Sequence, residues 1–383
     1  MSNTWWKDPT ELLDEQNDIL DLPVDESLLI NGPPGSGKTN LLLLRANHLV
    51  LSQRADLYVV VFGSVLRNFI RIGGAQYKFG HDKIVTHTLL FNKILGELGV
   101  ALDTSRLSFM DGRRARSSAM LELIKDGKVG RKFDVLLVDE AQDYFPDEIR
   151  IFRALANTLV AAADVRQRVF DVEDSSAVIK DCVDNVYPLK FHYRNGLQIC
   201  RLADGIMKGD PSHTPLVQHS SYDEKSYPST VKELKNLSIE KQGKAIAEQL
   251  VAQRVAYPNE IIGVMTPRKE DLEVIGDVLS KSSLKEQFTF CKSQNFVAEK
   301  PIWLSTIASA KGLEFRAAHI AGLDSLSRQG NAQRRIAFTA ITRAKTSLSL
   351  YYENKIPGYL DSALRVVAPV KAVVTRQNIF GKD

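Results

Sequence analysis

The sequence predicts an α/β protein made of two tandem units, each a parallel sheet flanked by helices. Three observations carry this. Short, continuous apolar runs alternate with helix-forming segments, as strands covered on both faces do. The series occurs twice, before and after residues 185–190. Near the start, a glycine-rich loop, Gly32-Pro33-Pro34-Gly35-Ser36-Gly37-Lys38-Thr39, stands between a strand-like and a helix-like segment.

In chain order, Ser27 to Ile30 is the first expected strand and Asn40 to Ala46 the helix beyond the loop. Leu57 to Phe62, Val135 to Val138 and Thr158 to Ala162 complete the strands expected in the first unit, residues 1–187. The second unit, residues 188–383, carries Glu260 to Met265, Ile302 to Ser305 and Ala317 to Ala321 as strands. Helices are expected between them over Lys241 to Arg254 and Glu270 to Leu279. Asp210 to Ser229, rich in proline and serine, reads as a surface loop. Trp5 and Trp6 are expected to pack onto the first unit.

Composition sets the bounds. A chain of 383 residues has material for two domains with proper cores. Hydrophobic residues make up 44%, which excludes a disordered chain. No apolar run approaches ~18 residues and the first residues lack a basic-then-apolar layout, so a cytoplasmic protein without membrane association is expected. Cys182, Cys200 and Cys291 are scattered, with no C-x-x-C, which excludes a zinc ribbon and fits a reducing compartment. A net charge of +4 permits an anionic partner without requiring one.

The loop fits G-x-x-x-x-G-K-[ST] in its proper setting, so it is expected to turn backbone N–H groups toward a polyphosphate. Gly32 and Gly37 allow the tight wrap, and Gly35 and Ser36 complete the cradle. Lys38 reaches the outer phosphates and the Thr39 hydroxyl ligates Mg²⁺. A hundred residues on, the apolar run Val135-Leu136-Leu137-Val138 ends in Asp139 and Glu140. Ligands gather at the carboxyl ends of such strands. Asp139 is therefore expected to hold Mg²⁺ through water beside Thr39, and Glu140 to take a proton from the attacking water. ATP and Mg²⁺ are the cofactors this implies.

Asp139-Glu140-Ala141-Gln142-Asp143 resembles motif II of superfamily 1 helicases of the UvrD/Rep type, and other segments match in order. Gln16 resembles the adenine-reading glutamine ahead of the loop, and Thr86-His87-Thr88 the T-x-H motif on the nucleic-acid side. Ala163 to Phe170 resembles motif III, with Gln167 in the γ-phosphate-sensing place. His192-Tyr193-Arg194-Asn195 resembles motif IV, Ser309 to Phe315 motif V and Arg334 to Lys345 motif VI. The resemblance implies two RecA-like domains with an ATP cleft between them. It places Arg194 and Arg343 on the phosphates, Tyr193 on the adenine and Glu314 on the ribose. Thr86, His87, Thr306 and Ser309 are the positions it implies on nucleic acid.

Three positions depart from that pattern: Asn40 where the family carries arginine, Val172 for a tryptophan and Ala308 for a histidine. Losing a base-stacking ring removes ~1–3 kcal/mol of strand contact. The 44 residues between Thr88 and Phe133, and the 36 between Met265 and Ile302, are too few for inserted domains of ~50 residues or more. Asp111 to Arg116 is a basic cluster that reads equally as a phosphate contact or a solvated surface.

The function expected is an ATP-dependent translocase or helicase stimulated by single-stranded DNA, with RNA left open and 3′ to 5′ movement implied by the resemblance. A monomer is expected, and a partner protein such as a nuclease is left open. The alternative is an ATP-gated switch that recruits a partner without processive unwinding. A small-molecule P-loop kinase ranks last, because a second α/β unit carrying Arg343 has no place in one.

Overall fold

The computed structural model describes residues 9–72, 76–164, 173–211, 213–291, 296–326 and 331–367. Trp5, Trp6, Gln167 and Val172 lie outside the described residues. The first lobe's sheet contains β1 (Leu28–Asn31), β2 (Leu57–Val61), β3 (Ile84–Thr86), β4 (Phe133–Val138), β5 (Ala156–Ala163) and β6 (Asn185–Pro188), in the order β3-β2-β4-β5-β1-β6. The second contains β7 (Thr230–Leu234), β8 (Ile262–Thr266), β9 (Phe288–Phe290), β10 (Ile302–Thr306), β11 (Phe315–Ile320) and β12 (Ala344–Tyr351), in the order β7-β12-β11-β8-β10-β9. Every pairing among these strands is parallel.

Helices flank both sheets. The first lobe carries α1 (Asp14–Leu20), α2 (Lys38–Leu51), α3 (Ser64–Ile72), α4 (His87–Glu97), α5 (Phe109–Lys125), α6 (Pro146–Leu155) and α7 (Ser176–Asp181). The second carries α8 (Leu197–Ile206), α9 (Ile239–Ala256), α10 (Lys269–Ser280), α11 (Asn331–Ile341) and α12 (Gly358–Val367). The fold is thus α/β with tandem RecA-like lobes. Its central strands are mostly apolar because both faces are covered. Leu28 and Ile30 face one apolar cluster and Leu29 the other. The first sheet runs through Pro188, one residue past the expected division. Between Asp210 and Ser229, the described residues hold only a short 3₁₀ turn, Val217–His219, and a bridge from Ser220 to His192.

Register positions the chemistry. Asn31 pairs with Ala163 and Ala161 with Val138, so the loops after β1, β4 and β5 leave one edge of the first sheet together. In the second sheet Phe315 pairs with Ala344, which sets the preceding residues, Glu314 and Arg343, side by side at the amino ends of β11 and β12. The lobes are joined by apolar packing: one buried cluster runs from Leu28 and Leu41 to Trp303 and Phe315. Helix α3 makes the bridge, with Phe69 edge-on to Trp303 at 5.2 Å between ring centroids. Gly312, at φ +79°, lies against Leu66, and a Cβ there would come within 2.5 Å of the Leu66 Cδ2.

The basic cluster is not wholly a solvated face. Arg113 is buried on α5, paired to Glu148 of α6 with Nη2 2.5 Å from Oε2, and donates to the Asp143 carbonyl at 3.0 Å. Glu148 also accepts the Phe145 N–H at 2.9 Å, and the guanidinium lies over the Phe145 ring. The pair therefore ties α5 and α6 to the turn after β4. Arg114, by contrast, is 54% exposed.

Removing one partner of a buried pair leaves the other charge uncompensated, at a cost of ~3–5 kcal/mol. Arg113→Met is expected to lower stability in chemical denaturation by that order, and Arg114→Ala by no more than ~0.5 kcal/mol. Equal effects would contradict this assignment.

Candidate active site

The loop after β1 wraps as its glycines require: Gly35 and Gly37 sit at φ +79° and +83°, and Gly37 starts α2 in the left-handed region. A Cβ on Gly35 would lie 2.6 Å from the Arg194 Cβ, so the two lobes touch at the loop itself. The Tyr193 N–H also donates to the Gly35 carbonyl at 3.0 Å. Lys38 Nζ donates to the carbonyls of Gly32 and Pro33, each at 2.9 Å. Burial lowers its pKa, and Arg194 adds to the effect against the opposing pull of Asp164 and Glu140.

Asp139, buried, and Glu140, half-buried beside it, are poised oppositely. Burial, reinforced by Glu140, pushes the Asp139 carboxyl up to about 7, although the Thr39 hydroxyl donates to it at 2.9 Å. Burial works against the Glu140 charge too, but Lys311, Arg343 and Lys38 together outweigh it and hold this carboxyl below its ordinary value. Glu140 stands at φ +51°, a left-handed conformation that is costly for a side chain with a Cβ and held by its surroundings. Gln142 donates to Glu140 at 2.5 Å while its carbonyl accepts the Asp164 N–H at 2.9 Å, linking the turn after β4 to the end of β5.

The second lobe brings cations to the same place. Arg194 pairs with Glu314, whose other oxygen lies 3.3 Å from Lys345. Burial would raise Glu314, but Arg194, Lys345 and Arg343 carry it down to about 2. Arg343 is buried, donates to the Thr339 carbonyl at 3.1 Å, and is lowered to about 10 by burial and the nearness of Arg194. Asn195 fixes motif IV against motif VI by donating to the carbonyls of Thr342 and Ala344 at 2.9 and 2.6 Å.

Lys38, Thr39, Asp139 and Glu140 from the first lobe, and Arg194, Glu314 and Arg343 from the second, line one inner cavity of about 50 Å³. Beyond the Arg194–Glu314 pair lies an outer cavity of about 500 Å³ that Gln16 and Tyr193 line. The sequence reading gave no role to two further residues here. Lys311 is 4% exposed and pairs with the buried Asp143 across the lobes, 3.9 Å from Glu140. Both lie inside quoted motifs, and a lone lysine between small residues was the available signal.

The site fits Mg²⁺ on one observation: Asp139 is a buried carboxylate short of positive charge, hydrogen-bonded to Thr39. Among the described residues no cluster of three or more His, Cys, Asp and Glu offers an all-protein cage. Mg²⁺ ordinarily takes few protein ligands and completes its shell with phosphate and water.

Not every expected position meets its role in this structure. Gln16 is 2% exposed, donating to the Ser36 carbonyl at 2.9 Å and accepting the Leu13 N–H at 3.2 Å. Glu314 has both oxygens on cations, not open toward a ribose. Thr86 and His87 face inward: Thr86 caps α4, accepting the Leu89 N–H at 3.3 Å, and His87 is 1% exposed, stacked on Phe62 and edge-on to Tyr144. Both side chains are turned away from the surface, the ring packing among Phe62, Phe91 and Tyr144. Thr306 and Ser309 are at the surface, hydrogen-bonded to each other at 3.0 Å, in a recess shared with Lys269 and Phe290. Gln167 lies outside the described residues.

Residues 301–351 match the family model of the UvrD-like helicase C-terminal domain. Among solved structures, the PRRSV helicase is similar at 16% identity and a TM-score of 0.42, over 88% of this chain and 54% of that one. This chain thus spans about half the length of that helicase. The C-terminal domain of a possible DNA helicase from Lactobacillus plantarum WCFS1 is similar at 18% identity and a TM-score of 0.34, over 46% of this chain and 96% of that one. No curated protein matches the sequence. Among the described residues no helix is long and apolar enough to cross a membrane.

Burial, with Arg113 and Arg116 nearby, holds the His87 imidazole down to about 3. The unfolded chain therefore binds a proton below about pH 6.5 that the folded chain refuses until about pH 3, and stability falls as pH drops through that window. The expected slope from His87 is ~1.4 kcal/mol per pH unit. His87→Phe is expected to remove about one proton from the pH dependence of chemical denaturation between pH 6 and 4. An unchanged slope would mean that the ring is charged or exposed.

Proposed function

We propose that this chain hydrolyses ATP in the cleft between its lobes and uses the cycle to move along, or grip and release, single-stranded nucleic acid. The observation that carries the reading is the shared cavity: loop lysine, Mg²⁺-competent acid and base from one lobe, two arginines from the other. Phosphoryl transfer needs positioning and charge stabilisation more than covalent chemistry, and these are the groups that supply them. The match of residues 301–351 to a helicase C-terminal domain and the ordered motifs support the same reading. Single-stranded DNA and 3′ to 5′ movement are the specific forms the resemblance favours.

In the proposed cycle Lys38 leaves the loop carbonyls for the outer phosphates, and Arg194 exchanges Glu314 for phosphate oxygens. Mg²⁺ held at Thr39 and Asp139 would neutralise charge on the phosphate oxygens. Glu140, kept ionised by Lys311, Arg343 and Lys38, takes a proton as the water oxygen bonds to the γ-phosphorus and the bridging oxygen departs with ADP. Arg343 stabilises the charge that develops on the transferred group. Loss of phosphate returns Arg194 to Glu314 and lets the lobes shift, the step that would act on a bound strand.

The second reading, an ATP-gated switch that recruits a partner protein, is favoured by one observation. Thr86 and His87, two of the four positions expected on a strand, are buried in this structure. The Glu140→Gln variant separates the two: retained biological activity with trapped ATP supports the switch.

With Mg²⁺ and low salt, ATP turnover is expected to rise on adding oligo(dT), and Arg343→Ala to lose ~10³–10⁵ in kcat, the range of an arginine supplied to the γ-phosphate. Steady-state phosphate release checks both. Turnover indifferent to oligo(dT) would contradict translocation, and an Arg343→Ala variant within tenfold of the parent would contradict the two-lobe mechanism.

A further inference from the structure

The chain crosses from the first lobe to the second just after β6, and both lobes grip the crossing. The Leu189 N–H donates to the Asn31 carbonyl at 2.7 Å and so prolongs the first sheet. The His192 N–H donates to the His219 carbonyl at 3.0 Å, and Asn195 to the carbonyls of Thr342 and Ala344, all in the second lobe. Between these points three donors converge on one half-buried side chain of α1, Glu15. The N–H groups of Lys190 and Phe191 donate to its two oxygens at 3.1 and 3.3 Å, and the Tyr193 hydroxyl donates to one of them at 3.0 Å. Helix α1 is in turn fastened to the phosphate-loop side. Gln16 donates to the Ser36 carbonyl near one end, and the Arg45 guanidinium of α2 donates to the carbonyls of Ile19, Leu20 and Leu22 at the other. Glu15 thus stands between the helix that begins at Lys38 and the segment that delivers Arg194.

From this arrangement we infer that Glu15 is a positioning residue of the cleft, holding the crossing segment so that Arg194 meets the phosphate loop. The inference rests on the nucleotide reading of the cleft and deepens it. Arg194 directly follows Tyr193, whose N–H donates to the Gly35 carbonyl at 3.0 Å and whose hydroxyl Glu15 holds. The backbone that carries the arginine is therefore fixed from two sides. A phosphate clamp works by orientation, and a displacement of about 1 Å can cost on the order of 100-fold. A carboxylate suits the post, since it offers acceptor sites to two backbone N–H groups and a hydroxyl at once, and its charge strengthens each bond. Glu15 lines neither the inner nor the outer cavity, so it acts on a nucleotide through the residues it holds.

A double-mutant cycle on the full chain tests this, read as the affinity for a non-hydrolysable ATP analogue with Mg²⁺. Glu15→Ala is expected to weaken binding roughly 10- to 100-fold in the parent, and a loss below about tenfold overturns the inference. In the Arg194→Ala background the same change is expected to cost at least about threefold less, because the residue acts through Arg194. A smaller difference between the backgrounds shows an independent, merely structural role and overturns it. Glu15→Gln keeps the length of the side chain and one acceptor oxygen, so it is expected to recover part of the loss, and a variant no better than Glu15→Ala overturns it as well. Should circular dichroism show Glu15→Ala unfolded, Tyr193→Phe takes its place in the cycle, removing one donor and leaving the ring, and the same comparison of backgrounds decides. Failure of the parent chain to bind the analogue, or binding unaffected by Lys38→Ala, sinks the nucleotide reading itself. Equal losses in the two backgrounds, with Lys38→Ala impaired, sink the positioning role and leave that reading standing.

Discussion

The charge balance across the cleft is the constraint on which the rest of this structure depends. Two adjacent carboxylates, Asp139 and Glu140, both meet the penalty of burial, yet their pKa values move in opposite directions. The difference lies in the other lobe, whose Lys311 and Arg343 oppose burial at Glu140. A buried acid is a usable base only where cations are held beside it, and opposite poise in neighbouring acids is how a site separates its roles. The first lobe therefore carries only half of this charge cluster, and the packing of Phe69 on Trp303 and Leu66 on Gly312 keeps the other half in place.

The same constraint explains why the cleft is full of internal pairs. Lys38 rests on loop carbonyls, Arg194 on Glu314, Lys311 on Asp143 and Thr39 on Asp139. Each buried charge needs a partner, since an unpaired one would cost several kcal/mol. Under the proposed function, nucleotide binding is an exchange of partners in place of a filling of space. The inner cavity, with room for only a few waters, suits that description. Gln142, bridging Glu140 to the backbone of Asp164, gives the exchange a route toward the end of β5.

Much of this was legible in the sequence because it is local. A strand, a glycine loop and a helix in succession specify the wrap around Lys38, and an apolar strand ending in two acids specifies where Asp139 and Glu140 emerge. The strands that escaped notice fall into two kinds. β3, β6, β7 and β9 are short and lie at or near sheet edges, where polar residues such as those of Thr230-Val231-Lys232-Glu233 face water and blur the pattern. β12 alternates serine with leucine in Ser347-Leu348-Ser349-Leu350, and its polar residues are buried by long-range partners such as Gln249 for Ser349. The misjudged side chains share a cause. Arg113 is a core residue only because Phe145 and Glu148 wait at the start of α6, and His87 only because Phe62 and Tyr144 enclose it. Nothing adjacent in sequence reveals a partner 35 or 57 residues away.

Equilibrium binding of a non-hydrolysable ATP analogue with Mg²⁺, followed by calorimetry, tests most directly whether both lobes hold the nucleotide. Lys38→Ala in one lobe and Arg194→Ala in the other are each expected to weaken binding at least ~10-fold, as the loss of a charge-assisted hydrogen bond of ~1.5–3 kcal/mol requires. An Arg194→Ala variant that binds as tightly as the parent, while Lys38→Ala does not, would leave the nucleotide on a single lobe and contradict the shared cleft.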